Sequence, residues 1–436
     1  MKVVVLGAGV VGTVSAWYLA RAGHAVTVID RQGAAGLETS LANGGQISAS
    51  HAEPWANPSA PGKILQWLGR EDAPLLFRMR ADARQWAWGL RFLVECLPWR
   101  SRANTREILS IALYSRAELQ RLRAETGIRY DQQTRGILHF HTSRKDFERA
   151  VRHAELLRQY GCEGEIKTPD ECVAMEPALA HARSRLAGAT FTPSDESGDA
   201  HTFTQALAAL AEGHGVRFRY GCSVERLETE HGRVASVIVH DVHDGAEESV
   251  TADAYVVALG SYSPLLLARV GVSIPVYPVK GYSITIPLEE DDVAPHVSLT
   301  DEAAKLVFTR LGERLRVAGT AELAGYDTEL RAERCESLLR RTFDLFPRAG
   351  RAERAEHWTG LRPATPSNVP LIGRTHLPNL YLNTGHGTLG WTLACGSGKA
   401  LADILCGKRP EPDFGFLGVP ERRRSTVLEP APRSGY

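Results

Sequence analysis

The chain has 436 residues, too many for one hydrophobic core and enough for two or three domains. Its 43% hydrophobic and 23% charged residues are those of an ordinary globular protein, and Lys plus Arg balance Asp plus Glu at 51 each, which excludes a global draw toward nucleic acid. Seven scattered cysteines without a C-x-x-C pair argue for reduced thiols in a cytoplasmic setting and against zinc or a redox disulfide; no metal and no secretory signal are expected, and no apolar run of about 20 residues could span a bilayer.

The first diagnostic pattern is Met1–Asp30. Val3–Leu6 is an apolar, β-branched run of the kind buried on both faces of a sheet. The turn Gly7-Ala8-Gly9-Val10-Val11-Gly12 follows in G-x-G-x-x-G spacing. Its glycines permit a tight turn, the approach of a pyrophosphate, and close packing of helix on strand. A helix over Val11–Ala22 stops at Gly23, and a second strand, Ala25–Ile29, ends in Asp30, an acid placed to accept ribose hydroxyls. This unit predicts dinucleotide binding. Arg31 keeps a 2′-phosphate, hence NADP, open beside FAD and NAD.

Residues 33–50 are small and polar around Gly44–Gly45, and residues 51–62 form a Pro-rich loop. From Lys63 to about Thr126 apolar residues recur at three and four (Ile64, Leu65, Leu68; Trp86, Leu90, Leu93; Ile108, Ile111, Leu119, Leu122), which predicts helix. Trp55, Trp67, Trp86, Trp88 and Trp99 are interleaved there with Arg78, Arg80, Arg84 and Arg91, suiting either core packing or a membrane-surface patch. Residues 128–142 read as a hairpin turning near Arg135–Gly136, and Lys145–Tyr160 as a helix. A strand over Leu186–Thr192 leads into a polar loop, Pro193–Asp199, then a helix, Thr202–Gly213. Tyr255–Leu259, the turn Gly260–Ser261 and a helix at Pro264–Val270 repeat the strand–turn–helix unit without a second glycine fingerprint, so a second dinucleotide domain is not indicated. Ile274–Pro287 reads as an edge or bent strand, Leu306–Leu311 with Arg314–Thr320 as a hairpin, and Cys335–Phe346 as a helix. Leu380–Asn383, the turn Gly385–Gly387 and a helix from near Thr388 close the pattern. That helix start offers free N–H groups and positive potential which, against a flavin, would stabilise charge building at N1 and O2 on reduction. The tail after Pro410 is rich in Pro and Arg and reads as poorly ordered.

The pieces VLGAGVVGTVSAWYLARAGHAVTVIDRQ, ETSLANGGQIS, LRAETGIRYD, PVKGYSITIP, AGYDTELR, HWTGLRPATP and LNTGHGTLGWTLACGSGKALADIL resemble those of bacterial D-amino acid dehydrogenases of the small-chain type, in the D-amino-acid-oxidase-like flavoprotein superfamily. The resemblance implies an α/β (α+β overall) architecture, with a Rossmann-like FAD-binding domain (1–50, 195–268, 360–410). It implies a largely antiparallel-sheet substrate domain (51–194, 269–359) with a helical insertion at 63–126, and a tail at 411–436. It further implies non-covalent FAD, oxidation of D-amino acids to 2-oxo acids and ammonia, and electrons passed to quinone or another respiratory acceptor, with possible peripheral association at the cytoplasmic face of the inner membrane. D-hydroxyproline or other secondary-amine dehydrogenases, an oxygen-using glycine or sarcosine oxidase relative, and a flavin-binding electron-transfer protein remain alternatives.

On this resemblance Gly7, Ala8, Gly9, Val10, Val11, Gly12, Asp30 and Arg31 fall on the ADP part of FAD, Val224 on its adenine side, and Ser40, Asn43 and Gly44 beside the flavin. Gly260 borders the cofactor, and Gly385, Gly387, Thr388 and Leu389 fall at the flavin pyrimidine edge. Arg362, in GLRP, falls on the substrate-carboxylate position, which suits a planar guanidinium that can donate two parallel hydrogen bonds. A structural Arg on a backbone carbonyl is its alternative. His386 is a candidate proton acceptor or a structural His, Tyr282 a pocket or core Tyr, and His51 stands where many members have Tyr.

Overall fold

The computed structural model describes residues 1–67, 70 and 73–420. A six-stranded sheet runs in the order Leu371–Arg374, Leu380–Thr384, Ala254–Val257, Lys2–Leu6, Ala25–Ile29, Arg217–Arg219. Neighbours are parallel except the first pair. A parallel sheet covered on both faces needs strands that are apolar on both sides. Val3 and Val5 accordingly face a core built on the helices Val10–Arg21 and Gly390–Leu405. Val4 and Leu6 face a second core under an antiparallel sheet, Cys222–Glu230, Arg233–Asp241 and Glu247–Val250. The two helices touch through glycine: a Cβ at Gly398 would lie 2.7 Å from Val14 Cγ1 and 3.0 Å from the Ser15 nitrogen.

The second layer is a nine-stranded sheet. Its path is Glu356–Ala364, Tyr277–Pro287, Arg314–Leu323, Leu306–Leu311, Ser298–Asp301, Ile137–His141, Gly188–Thr192, Glu165–Lys167, with Leu75–Phe77 beside Arg314–Leu323. Pairings are antiparallel except Ser298–Asp301 with Ile137–His141 and Arg314–Leu323 with Leu75–Phe77. The expected domain boundary at residue 360 falls inside the strand Glu356–Ala364.

Several expectations need correction. The helical stretch 63–126 is three helices, Ala60–Trp67, Ala83–Glu95 and Pro98–Thr126, interrupted by the strand Leu75–Phe77. Asp82 caps the second helix by accepting from the Arg84 amide, and Pro98 opens the third. Leu68, one of the periodic positions, lies outside the described residues. Residues 128–142 are not a hairpin, because Ile137–His141 pairs with Gly188–Thr192 and Ser298–Asp301. The polar loop 193–199 contains a short strand, Glu196–Ser197, paired with Gln46–Ile47. Tyr277–Pro287 is an interior strand with an irregularity between Lys280 and Tyr282. The beginning of the tail is docked: Leu417 donates its amide to the Ile372 carbonyl, accepts from Arg374, and Phe416 is buried. The open edge at Leu371–Arg374 has unpaired amides and carbonyls, which explains this docking. Residues 421–436 of the tail lie outside the described residues.

Candidate functional site

A cleft of about 1220 Å³ opens between the two large sheets. One part of its wall is the glycine turn. Gly7 sits at φ +106, and a Cβ there would lie 2.6 Å from the Ala258 carbonyl oxygen. Gly9, by contrast, has an ordinary φ of −66. A Cβ on Gly9 would meet only Ser40 Oγ, at 3.7 Å. Val10 donates its amide to Ser40 Oγ at 3.1 Å, which ties the polar loop to the helix N-terminus. Asp30 accepts from the amides of Ala8 (2.6 Å) and Gln32 (2.8 Å). Burial pushes its carboxyl above the ordinary aspartate range, against the pull of those two donors.

Gly7, Gly9, Val10, Val11, Asp30, Arg31, Ser40, Asn43, Gly44, Val224, Gly260, Gly387, Thr388 and Leu389 all line this one cleft. Ala8, Gly12 and Gly385 do not; they shape the wall from behind. Gly12 is the helix–strand contact, where a Cβ would fall 1.9 Å from the Gly7 oxygen, and Gly385 turns at φ +82 against Thr365. The Arg31 charge is already answered, by Glu38 at 2.7 Å and by the Tyr262 ring at 4.2 Å, which weakens the case for a 2′-phosphate. Gly387–Leu389 forms a single 3₁₀ turn ahead of Gly390–Leu405, so amides at that helix start border the cleft.

Arg362 enters from the edge strand Glu356–Ala364 and crosses its neighbour at Gly281, where a Cβ would lie 2.2 Å from the Arg362 Cζ. Only glycine lets the guanidinium pass. Nη1 donates to the Thr320 carbonyl at 2.7 Å and Nη2 to the Gly319 carbonyl at 3.3 Å. No carboxylate lies within ion-pair distance among the described residues, and burial alone pulls the guanidinium down to about 10, still charged at neutral pH. It is a half-buried cation facing the cleft, with no counter-charge among the described residues.

The other three candidates are placed differently. Tyr282 borders the cleft but commits its hydroxyl to Glu322 Oε2 at 2.7 Å, within the core on the sheet's far side. His386 is buried, its Nε2 lies 3.2 Å from Ser397 Oγ, and burial pushes the imidazole down to about 3. That favours its structural alternative over a proton acceptor. His51 stands in a cluster of its own with His139 and Glu302, which sequence reasoning missed. The available signal was H-x-H at His139 and His141: in a strand, alternate residues share a face. The turn carrying His51 is anchored by Asp195, which accepts from Ser48 Oγ (2.8 Å), Ser50 Oγ (2.6 Å) and the Ala49 amide (3.1 Å), and pairs with Arg116.

The pattern of the family described as FAD dependent oxidoreductase (DAO) matches residues 2–404. A protein of Dechloromonas aromatica (strain RCB) named D-amino acid dehydrogenase is 60% identical over 96% of this chain and 100% of its own length. One of the same name from Paramagnetospirillum magneticum (strain ATCC 700264 / AMB-1) is 54% identical over 96% of this chain and 98% of its own. Among solved structures, glycine oxidase from Geobacillus kaustophilus superposes with a TM-score of 0.72 at 24% identity, covering 94% of this chain and 96% of that one. L-proline dehydrogenase from P. horikoshii gives 0.72 at 18% identity, covering 93% and 94%. At these identities the two structures speak to the fold.

Proposed function

The chain belongs to the FAD-dependent oxidoreductase family, and from that premise we infer that it is a D-amino acid dehydrogenase, converting D-amino acids to 2-oxo acids and ammonia with FAD as cofactor. The cleft suits a non-covalent dinucleotide on an observation of its own. Gly9 is demanded neither by backbone strain nor by protein packing, so what excludes a side chain there is what binds. Gly7, Gly9, Val10, Val11 and Asp30 are assigned to the ADP part, and Ser40, Asn43, Gly44 and Gly387–Leu389 to the flavin part.

The observation that carries the substrate reading is Arg362. A guanidinium has five N–H donors, and two are spent on carbonyls. One N–H on each Nη and the one on Nε remain, enough for a bidentate grip on a carboxylate. The substrate anion would supply the missing counter-charge. When bound, FAD supplies the hydride acceptor, at N5. The chain's own contribution is to fix the α-carbon through Arg362, exclude water by burial, and leave the amine to lose its proton before reaction. With Tyr282 committed to Glu322 and His386 held on Ser397, no side-chain base is assigned. Mixing the purified protein anaerobically with D- and L-amino acids tests this: D-amino acids should bleach the flavin and L-amino acids should not, and hydrogen peroxide yield in air measures whether oxygen is an acceptor.

For the acceptor and location, the surface offers support. No helix among the described residues is long and apolar enough to cross a membrane. The outer faces of the helices Ala60–Trp67 and Ala83–Glu95, with the start of Pro98–Thr126, nevertheless expose Leu65, Trp86, Leu90, Leu93, Val94 and Trp99. Exposed Arg84, Arg91, Arg100 and Arg102 lie on the same two helices, Ala83–Glu95 and Pro98–Thr126. This combination fits the interface of an anionic bilayer, with lipid-soluble quinone as acceptor. All seven cysteines are free, in keeping with the cytoplasmic side.

A further inference from the structure

We propose that His51, His139 and Glu302 form a binding site for a divalent transition metal of the zinc class. Their ligand atoms all lie within 4.8 Å of one another. Glu302 Oε1 is 3.2 Å from His139 Nδ1 and 3.9 Å from His51 Nδ1. Two ligands at zinc distances in tetrahedral geometry stand about 3.4 Å apart, so an ion fits between them with small shifts. The two imidazoles are stacked, 9° from parallel with centroids 5.4 Å apart, and both direct Nδ1 toward the same carboxylate.

The proton inventory points the same way. Ser50 Oγ lies 2.6 Å from Asp195, a carboxylate that can only accept, so the hydroxyl proton goes there. The same oxygen lies 3.4 Å from His139 Nε2 and, with its own proton on Asp195, can accept from it. In that tautomer Nδ1 faces Glu302 Oε1 at 3.2 Å, and an ion bound by both atoms would replace their direct contact. The Asp195–Ser50–His139 chain is the outer-shell support that metal-bound imidazoles commonly have. Independently, His141 lies two residues on along the same strand face, is 6% exposed and borders the cleft, and neither of its ring nitrogens has a hydrogen-bond partner. It is a further donor without an occupation. Lys305 Nζ holds the other oxygen of Glu302 and serves as counter-cation in the metal-free protein.

The site lines the same cleft as Arg362 but stands apart from it. Thr320, which receives Arg362, and His139 are on strands three places apart, roughly 14 Å at the usual strand spacing. An ion there would tie the turn Ala49–His51 to the strand Ile137–His141 and to the turn after Ser298–Asp301.

The test uses untagged, FAD-loaded protein, stripped with a chelator and titrated with zinc alone by equilibrium dialysis and calorimetry, with X-ray absorption to read the ligands. The expected result is one zinc per chain on two imidazoles and a carboxylate. Affinity should fall about tenfold or more in His51→Ala, His139→Ala and Glu302→Gln at unchanged FAD content. Lys305→Met should tighten zinc about tenfold, because it removes the competing charge, an effect opposite to that of losing a merely structural ion pair. Zinc binding equal in the wild type and a His51→Ala/His139→Ala double variant would overturn the proposal. So would weaker binding in Lys305→Met, or X-ray absorption showing no imidazole on the bound zinc. None of these readouts depends on the substrate reading.

Discussion

Arg362→Ala tests the substrate reading most directly. The wild-type side chain has two N–H groups on backbone carbonyls and three left over, and no acid nearby among the described residues. Two charge-assisted hydrogen bonds to a substrate carboxylate, at about 1.5–3 kcal/mol each, make the expected loss about 3 kcal/mol or more, a hundredfold or beyond in kcat/KM. Arg362→Lys keeps the charge but loses the planar fork, and should also lose activity substantially. FAD content should stay near wild type in both. Stability gives an independent reading. A half-buried cation held by two carbonyls, with no acid partner among the described residues, gains little from its charge, so Arg362→Met should leave Tm near wild type, whereas a structural Arg would lower it. The assay is anaerobic dye reduction with the best D-amino acid and with its amide. Wild-type kcat/KM in Arg362→Ala, or amide turnover equal to acid turnover in the wild type, would refute the reasoning and return the search to Tyr282 and His51.

Gly9→Val should fold, since Gly9 has φ −66 and a Cβ there has only Ser40 Oγ nearby, yet purify colourless; normal far-UV circular dichroism without flavin absorbance is the check, and retained FAD would contradict the assignment. His386→Gln should leave the pH dependence of kcat/KM in place, because the imidazole, pushed down to about 3, stays neutral through the working range. The same residue sets a sign for stability. Its folded value lies below the ordinary 6.5, so the unfolded chain binds the proton first, and stability is full above about 6.5 and falls as the pH drops toward 3. His386→Gln should flatten that limb in a Tm-versus-pH series. Leu90→Asp with Leu93→Asp should abolish co-sedimentation with anionic vesicles while leaving turnover with a soluble dye intact; unchanged sedimentation would remove the membrane patch.

The glycine turn and Asp30 are legible because they are local: strand, turn, helix and acid are consecutive, and each residue type has one physical reason to be there. Arg362 is legible through its motif, but the glycine that lets it cross, Gly281, belongs to another strand and no spacing points to it. The hairpin expected at 128–142 does not form because the partners of Ile137–His141 lie far along the chain, and alternation does not say which strand pairs with which. In the tail, a high Pro and Arg content hides Phe416 and Leu417 and an edge waiting to be covered. His139 and Glu302 are 163 positions apart and carry no signal as a pair.

The order of strands in the six-stranded sheet constrains how the protein can be made. Lys2–Leu6 leaves the ribosome first, yet one of its neighbours, Ala254–Val257, is translated far later, and that neighbour in turn waits for Leu380–Thr384. The first helix waits longer still, for Gly390–Leu405 to cover it. During most of synthesis the strand and helix around the glycine turn therefore lack the partners that bury their apolar faces in the folded chain. A chain stopped before Leu371 should capture no flavin although it keeps every residue of the glycine turn.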